Sequence, residues 1–197
     1  MNQLGRVIKD VESKISADTI LFFDMDGTLV HTDLANFLSY RKAIQTVLDE
    51  GVGLTYDPSQ RFNRSSLLKI LPDLSETDYR KIIKVKENCY NDFIQDTELN
   101  TTAVELLEKY SKTNQTILVT NCRKDRALLI LGHYGLLETF SHTFFRELGD
   151  KKKVNKYVTV ISRLGIPANS VVAFENEQSE IEDALIAGIP SQNIFLI

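Results

Sequence analysis

Two carboxylates stand two residues apart, directly after an apolar run near the start of the chain. The run at residues 19–23 (TILFF) stops at Asp24, and Asp26 and Gly27 follow in the segment FFDMDGTLV. An aspartate with a reference pKa of about 3.9 is ionised at neutral pH and can act as a nucleophile without further activation. A second acid can protonate a leaving oxygen, a step worth about 10²–10⁴ in rate. The pair therefore meets two needs of a phosphoryl-transfer site, a nucleophile that is ionised at neutral pH and a second acid.

Strands and helices alternate around this pair. Short apolar runs read as strands buried on both faces, and amphipathic segments between them read as helices. This alternation predicts an α/β fold with a Rossmann-like, mostly parallel sheet. Besides 19–23, the predicted strands are 116–120, 143–145, 170–174 and 193–197, and the helices are 101–112, 124–134, 155–164 and 178–187.

Polar residues follow three of the predicted strands at their carboxyl ends. Asp24 follows the first, Asn121 follows the run TILVT, and Glu175 follows SVVAF. Open parallel sheets bind ligands beyond the carboxyl ends of their strands, where the strand order reverses. These three positions therefore predict one shared site.

Residues 33–97 interrupt the alternation with helical patterns alone. One of them begins with a capping-box pattern, Ser75 followed three residues later by Asp78. We therefore expect a discontinuous catalytic core, 1–32 and 98–197, and a small all-helical insertion, 33–97.

Composition and charge limit the classes of partner that the protein is expected to bind. The chain has 197 residues, a net charge of −4 and 25% charged residues, so it lacks the excess of clustered cations that nucleic acid binding needs. No segment approaches the ~20 apolar residues of a membrane span, and the charged N-terminal stretch has no apolar run long enough for a secretory signal. Cys89 and Cys122 have no metal-ligand spacing and are expected to be free thiols. We expect a cytoplasmic protein that acts on a small phosphorylated metabolite, with no nucleic acid, membrane or protein partner.

The segment D-M-D-G-T-L-V resembles the first motif of the haloacid dehalogenase superfamily of aspartate-nucleophile phosphatases. The resemblance implies that Asp24 is transiently phosphorylated, and that Asp26 protonates the leaving group and then activates water. It also implies a Mg²⁺ cofactor bound by the Asp24 carboxylate and the Asp26 backbone carbonyl.

The second and third motifs of the superfamily have counterparts further along the chain. Thr120 and Asn121, in ILVTNCRK, match the motif that binds the phosphoryl oxygens and the substrate. The third motif is a lysine that neutralises the nucleophile. The spacing to Tyr157 and the segment LGIPANSVVAFE favours Lys151. The other candidates in this lysine-rich segment are Lys152, Lys153 and Lys156.

The fourth motif departs from the superfamily pattern. Alignment on the segment AGI at residues 187–189 places Glu175 and Asn176 at the usual acidic positions, with Glu180 at a later acid. An amide oxygen can still bind Mg²⁺, which accepts hard oxygen ligands. Glu175, Asn176 and Glu180 are therefore candidate metal ligands beside Asp24 and Asp26.

The insertion resembles the helical cap of the β-phosphoglucomutase-like branch in its position and helical character. Arg61 and Arg64 lie within it, in RFNRSSLLK, and are candidates for binding an anionic substrate. The expected activity is a small-molecule phosphatase. A sugar-phosphate phosphomutase and a non-catalytic phosphate- or metal-binding module remain as alternatives.

Overall fold

The computed structural model describes residues 3–48, 53–146 and 154–197. The chain divides into two compact units. One consists of Met1–Val30 and Leu99–Ile197, and the other is His31–Glu98. No helix in the described ranges is long and apolar enough to cross a membrane.

The first unit is built on a five-stranded sheet in which all neighbours pair in parallel. Its strands are β1 (Ile20–Phe23), β4 (Gln115–Arg123), β5 (His142–Arg146), β6 (Val171–Glu175) and β7 (Ile194–Leu196). Two short strands, β2 (Val30–His31) and β3 (Glu98–Leu99), form a separate two-stranded sheet. The strand order in the large sheet is β5-β4-β1-β6-β7. The helices of this unit are α1 (Gln3–Glu12), α5 (Thr101–Tyr110), α6 (Lys124–His133), α7 (Lys156–Leu164) and α8 (Gln178–Ile186).

The central strands are buried because both faces of the sheet are covered. Leu21, Phe22 and Phe23 of β1 are fully buried, and so is every residue of β6. Phe22 packs in a cluster with residues of α7 and α8, including Tyr157 and Ala184. The predicted α/β fold with a parallel sheet is confirmed. The strand order reverses at β1, so the carboxyl ends of β4, β1 and β6 lie side by side.

One strand differs from its prediction in a way that affects the site. The sequence predicts that the second buried strand stops before Asn121, whereas β4 continues to Arg123. Its pairing with β5 changes register between Val119 and Arg123. Within that irregular stretch, the backbone N–H of Cys122 donates to the hydroxyl of Thr120. The Thr120 side chain thus satisfies the backbone N–H of Cys122 where the strand pairing is irregular.

The second unit is helical, as the sequence predicts. It contains α2 (Asp33–Leu48), α3 (Arg64–Ile70), α4 (Glu76–Cys89) and a 3-10 segment, Tyr90–Asp96. Ile44, Leu67 and Ile82 lie in its core cluster. Ser75 caps α4 by accepting from the N–H of Asp78, which confirms the predicted cap.

The loop after β1 closes tightly on itself. The Met25 carbonyl accepts hydrogen bonds from the N–H groups of Thr28, Leu29 and Val30. Gly27 permits this turn because its φ is +88°, a value that L-residues with a Cβ rarely adopt. A Cβ at Gly27 would also clash with Nδ2 of Asn176, which follows β6. Gly27 therefore sets both the turn and the close approach of the two loops.

We expect Gly27→Ala to lower the free energy of unfolding by about 1–3 kcal/mol through backbone strain, with a further loss from the clash with Asn176. Urea denaturation measures the change. Gly135→Ala is the matched control, because Gly135 has φ +69° and an added Cβ would meet nothing within 4 Å. Equal losses in the two variants would show that the contact with Asn176 imposes no constraint.

Candidate active site

Asp24 lies at the carboxyl end of the central strand and is nearly buried. Its N–H donates to the carbonyl of Phe174 on β6, which extends the β1–β6 pairing to the start of the loop. Its Oδ1 accepts a hydrogen bond from the Lys156 ammonium at 2.7 Å. Burial raises the pKa of Asp24, while the charge and hydrogen bond of Lys156 oppose that rise.

Lys156 reaches Asp24 from the first turn of α7. Asn155 caps this helix by accepting from the N–H groups of Tyr157 and Val158, which fixes where the helix begins. The Lys156 ammonium also lies 2.7 Å from Glu175 Oε1. A third carboxylate, on Glu180, lies 3.5 Å away.

Nearby carboxylates stabilise the charged form of Lys156 although the side chain is buried. Desolvation by itself lowers the pKa of Lys156, but Asp24, Glu175 and Glu180 together outweigh it and raise that pKa. Three carboxylates against one ammonium leave an excess of negative charge when all are ionised. The Lys156 ammonium is therefore the shared counter-charge of these three acids.

The lysine favoured by spacing, Lys151, lies outside the described residues, as do Lys152 and Lys153. Of the four candidates in the lysine-rich segment, Lys156 is the one described, and it contacts the predicted nucleophile.

Glu175 is fully buried and engaged by protein groups. Its Oε1 accepts from the Tyr157 hydroxyl and from Lys156, and its Oε2 accepts from the N–H of Asn176. Burial and the nearby Asp24 raise the pKa of Glu175 to about 7, against the opposing effect of Lys156. Glu175, a predicted metal ligand, thus contacts Lys156, Tyr157 and the N–H of Asn176 in this arrangement.

Asp26, the predicted acid and base, is paired with a residue that the sequence did not single out. Arg126 of α6 donates from Nη2 to Asp26 Oδ2 at 2.9 Å. Nothing in the local segment CRKDRA distinguishes Arg126 from Arg123, which bonds Asp125 instead. The pairing arises from how α6 packs beside the β1 loop.

Thr120 and Asn121 lie in the irregular stretch of β4. The Thr120 side chain is buried, and its hydroxyl oxygen accepts from the N–H of Cys122. A hydroxyl that accepts in this way can still donate its own proton. Asn121, which the sequence predicts to bind substrate, donates from Nδ2 to both oxygens of Glu180, at 3.2 and 3.1 Å. Asn121 thereby orients Glu180 towards Lys156.

Asn176 lies against the β1 loop. Its Oδ1 accepts from the Thr28 hydroxyl at 3.2 Å, and its side chain packs on Gly27. Asn176 therefore presents an amide beside the loop that carries the two aspartates. Within the described ranges, no three His, Cys, Asp or Glu side chains are grouped so that they could hold a metal ion.

The two predicted cap arginines belong to the second unit. Nε of Arg61 lies 3.4 Å from Oδ1 of Asp33. Arg64 is exposed at the first position of α3, after the N-cap residue Asn63. Asn63 supplies the N-cap hydrogen bonds of α3, so the Arg64 side chain is not needed for capping.

Comparison with known proteins places the chain in a family. Residues 21–194 match the family model for haloacid dehalogenase-like hydrolases. A phosphorylated carbohydrates phosphatase of Thermotoga maritima is 27% identical over 183 residues, which cover 86% of this chain and 81% of that protein.

Solved structures share the fold. A haloacid dehalogenase-like hydrolase from Streptococcus pneumoniae superposes with a TM-score of 0.70 at 16% identity, covering 89% of this chain and 83% of that one. A protein from Thermotoga maritima provisionally assigned as a β-phosphoglucomutase gives a TM-score of 0.65 at 24% identity. The match covers 90% of this chain and 84% of that one. The match over residues 21–194 spans every motif from the first strand to the last, and the chain therefore belongs to the haloacid dehalogenase-like hydrolase family.

Proposed function

We propose that the chain is a Mg²⁺-dependent phosphatase that hydrolyses a small phosphomonoester through an aspartyl-phosphate on Asp24. The observation that carries the proposal is the contact between the Lys156 ammonium and Asp24 Oδ1 at 2.7 Å, with Asp26 two residues further on. A carboxylate held by a buried cation at the end of the central strand is available as a nucleophile, and Asp26 supplies the proton transfer.

In the first step, an oxygen of Asp24 attacks phosphorus and the bond to the ester oxygen breaks. Asp26 gives its proton to that oxygen, so the leaving group departs as an alcohol. Lys156 balances the negative charge of the nucleophile and the phosphoryl group, and the Thr120 hydroxyl donates to a phosphoryl oxygen.

In the second step, Asp26 is ionised and takes a proton from water. The water oxygen attacks phosphorus, and the bond from phosphorus to the Asp24 oxygen breaks. Inorganic phosphate leaves and the Asp24 carboxylate is restored. The same residue thus serves as acid in one half of the reaction and as base in the other.

The oxygen donors near Asp24 fit the hard-ligand chemistry of Mg²⁺. Asp24, the Asp26 carbonyl and the Asn176 amide oxygen would hold the ion, while Glu175 and Glu180 are engaged by Lys156, Tyr157 and Asn121. When bound, Mg²⁺ supplies positive charge that stabilises the phosphoryl oxygens. With one carboxylate among these donors, we expect weak metal binding.

A phosphorylated sugar is the favoured substrate class, since the relative from Thermotoga maritima is a phosphatase of phosphorylated carbohydrates. In this proposal residues 33–97 act as the cap that selects the substrate, with Arg61 and Arg64 as candidate anion ligands. The chain would work in the cytoplasm.

One observation favours a second candidate. The amide of Asn176 in place of an acid would also suit a phosphate- or metal-binding module without catalysis. Release of phosphate from an aryl phosphate in the presence of Mg²⁺ supports the enzyme. Binding of phosphate without turnover, in freshly prepared protein saturated with Mg²⁺, supports the module.

Asp24→Asn should abolish turnover, because a neutral amide cannot attack phosphorus. It should leave the fold intact, because Glu175 and Glu180 still balance the charge of Lys156. Asp26→Asn should instead slow turnover by about 10²–10⁴-fold, the factor expected for a lost general acid and base. Steady-state phosphate release and circular dichroism measure the two effects. Undiminished turnover in Asp24→Asn, with contaminating phosphatase excluded, contradicts the nucleophile assignment.

Lys156→Ala should lower kcat by about 10²–10³-fold, because it removes the charge that balances the nucleophile. Lys151→Ala is the comparison, and we expect it to cost far less. Phosphate release from the same substrate measures both variants. A larger loss in Lys151→Ala would show that the spacing along the chain, and not the contact with Asp24, identifies the catalytic lysine.

Asn176→Asp should tighten Mg²⁺ binding, because a carboxylate adds a full negative charge beside a divalent ion. Repulsion from Asp24 and Glu175 opposes this gain, but the positive charge of a bound ion would offset that repulsion. Calorimetric titration and the Mg²⁺ concentration for half-maximal activity measure the change, with Asn176→Ala as the weakened control. An unchanged affinity in both variants would remove Asn176 from the ligand set.

A further inference from the structure

Arg126 is held at two points beside the proposed acid and base. Its Nη2 donates to Asp26 Oδ2 at 2.9 Å, and its Nε donates to Cys122 Sγ at 3.0 Å. The side chain is 17% exposed, and that of Asp26 is 9% exposed. Because the guanidinium is planar, contacts at two of its nitrogens fix the orientation of the whole group.

The position of Arg126 follows from local structure. β4 ends at Arg123, α6 begins at Lys124, and Arg126 therefore lies in the first turn of the helix. Cys122, the contact for Nε, is four residues earlier in the buried end of β4. The strand end and the helix start together aim the guanidinium at the β1 loop.

The two carboxylates of the D-M-D segment thus have separate cations. Lys156 contacts Asp24, and Arg126 contacts Asp26. An acid and base must keep its carboxyl group within hydrogen-bond reach of the leaving oxygen and then of water. The contact with Arg126 restricts the rotamers that the Asp26 side chain can populate, and only some rotamers would serve.

We propose that Arg126 is a positioning residue that holds the Asp26 carboxyl group in place for proton transfer, with Cys122 as its second anchor. This inference rests on the proposed function, since it gives Arg126 a part in the reaction through Asp26. It adds a residue of α6 to a mechanism otherwise built from the four motifs.

Direct binding of a substrate anion is the competing role for an arginine at this place. A bidentate anion site needs an edge of the guanidinium that faces the ligand. Here Nε is directed at Cys122 Sγ and Nη2 at Asp26 Oδ2, so the Nε–Nη2 edge of the guanidinium faces protein atoms. The contacts favour positioning of Asp26 over binding of substrate.

A double-mutant cycle between Arg126 and Asp26 tests the proposal. In the wild-type background we expect Arg126→Ala to lower kcat about tenfold to a hundredfold, a part of what Asp26 contributes, with KM changed less than about threefold. In the Asp26→Asn background the same change should lower kcat less than about twofold, because the group that Arg126 positions no longer transfers protons. Arg126→Lys should recover part of the lost activity.

Arg123→Ala is the matched control, because Arg123 lies three residues earlier and bonds Asp125 at the surface. We expect wild-type kcat and KM for it. If Arg126→Ala fails to fold, as judged by thermal denaturation, Arg126→Met replaces it and keeps the apolar stem.

Each other outcome overturns the inference in a recognisable way. Equal losses in both backgrounds would mean that Arg126 acts independently of Asp26. A raised KM with unchanged kcat would mean that it binds substrate, and unchanged kinetics would mean that the contact is structural. Full turnover in Asp26→Asn alone would instead refute the acid/base step of the proposed function, and the role of Arg126 with it.

Discussion

A buried negative charge at the end of a strand needs a positive charge within hydrogen-bond reach, and the site is organised around that requirement. Asp24 ends the central strand with little exposure to water, and Lys156 supplies the charge at 2.7 Å. Removing one partner of such a buried pair typically costs about 3–5 kcal/mol, because the other charge is left uncompensated. Lys156 is itself buried, so it needs Glu175 and Glu180, and these acids need Tyr157 and Asn121 in turn.

The fold meets this requirement through the order of its strands. β4 and β6 flank β1, so their carboxyl ends bring Thr120, Asp24 and Glu175 to one edge of the sheet. The cap of α7 at Asn155 then sets the position of Lys156, and the turn at Gly27 lets Asn176 approach the β1 loop. The strand order, the start of α7 and the turn at Gly27 therefore set which side chains meet around Asp24.

Sequence patterns predicted the sheet well because each central strand is a continuous apolar run that ends in a polar residue. They also singled out Asp24 and Asp26, which lie directly after the central strand and contact Lys156 and Arg126 respectively. The spacing of the motifs favours Lys151, whereas among the described residues it is Lys156 that contacts Asp24, because the start of α7 sets its position. Patterns could not foresee that Asn121 bonds Glu180 or that Arg126 bonds Asp26, since both pairs join elements distant in the chain.

Covalent labelling of Asp24 is the decisive experiment for the proposed reaction. The protein would be mixed with an aryl phosphate and Mg²⁺, quenched in acid within the first turnovers, digested and mapped by mass spectrometry. We expect one phosphoryl group on the peptide that contains Asp24, labile at alkaline pH, and its accumulation in Asp26→Asn. Release of phosphate with no modified Asp24 peptide at any quench time, or a phosphoryl group on another residue, would contradict an aspartyl-phosphate at Asp24.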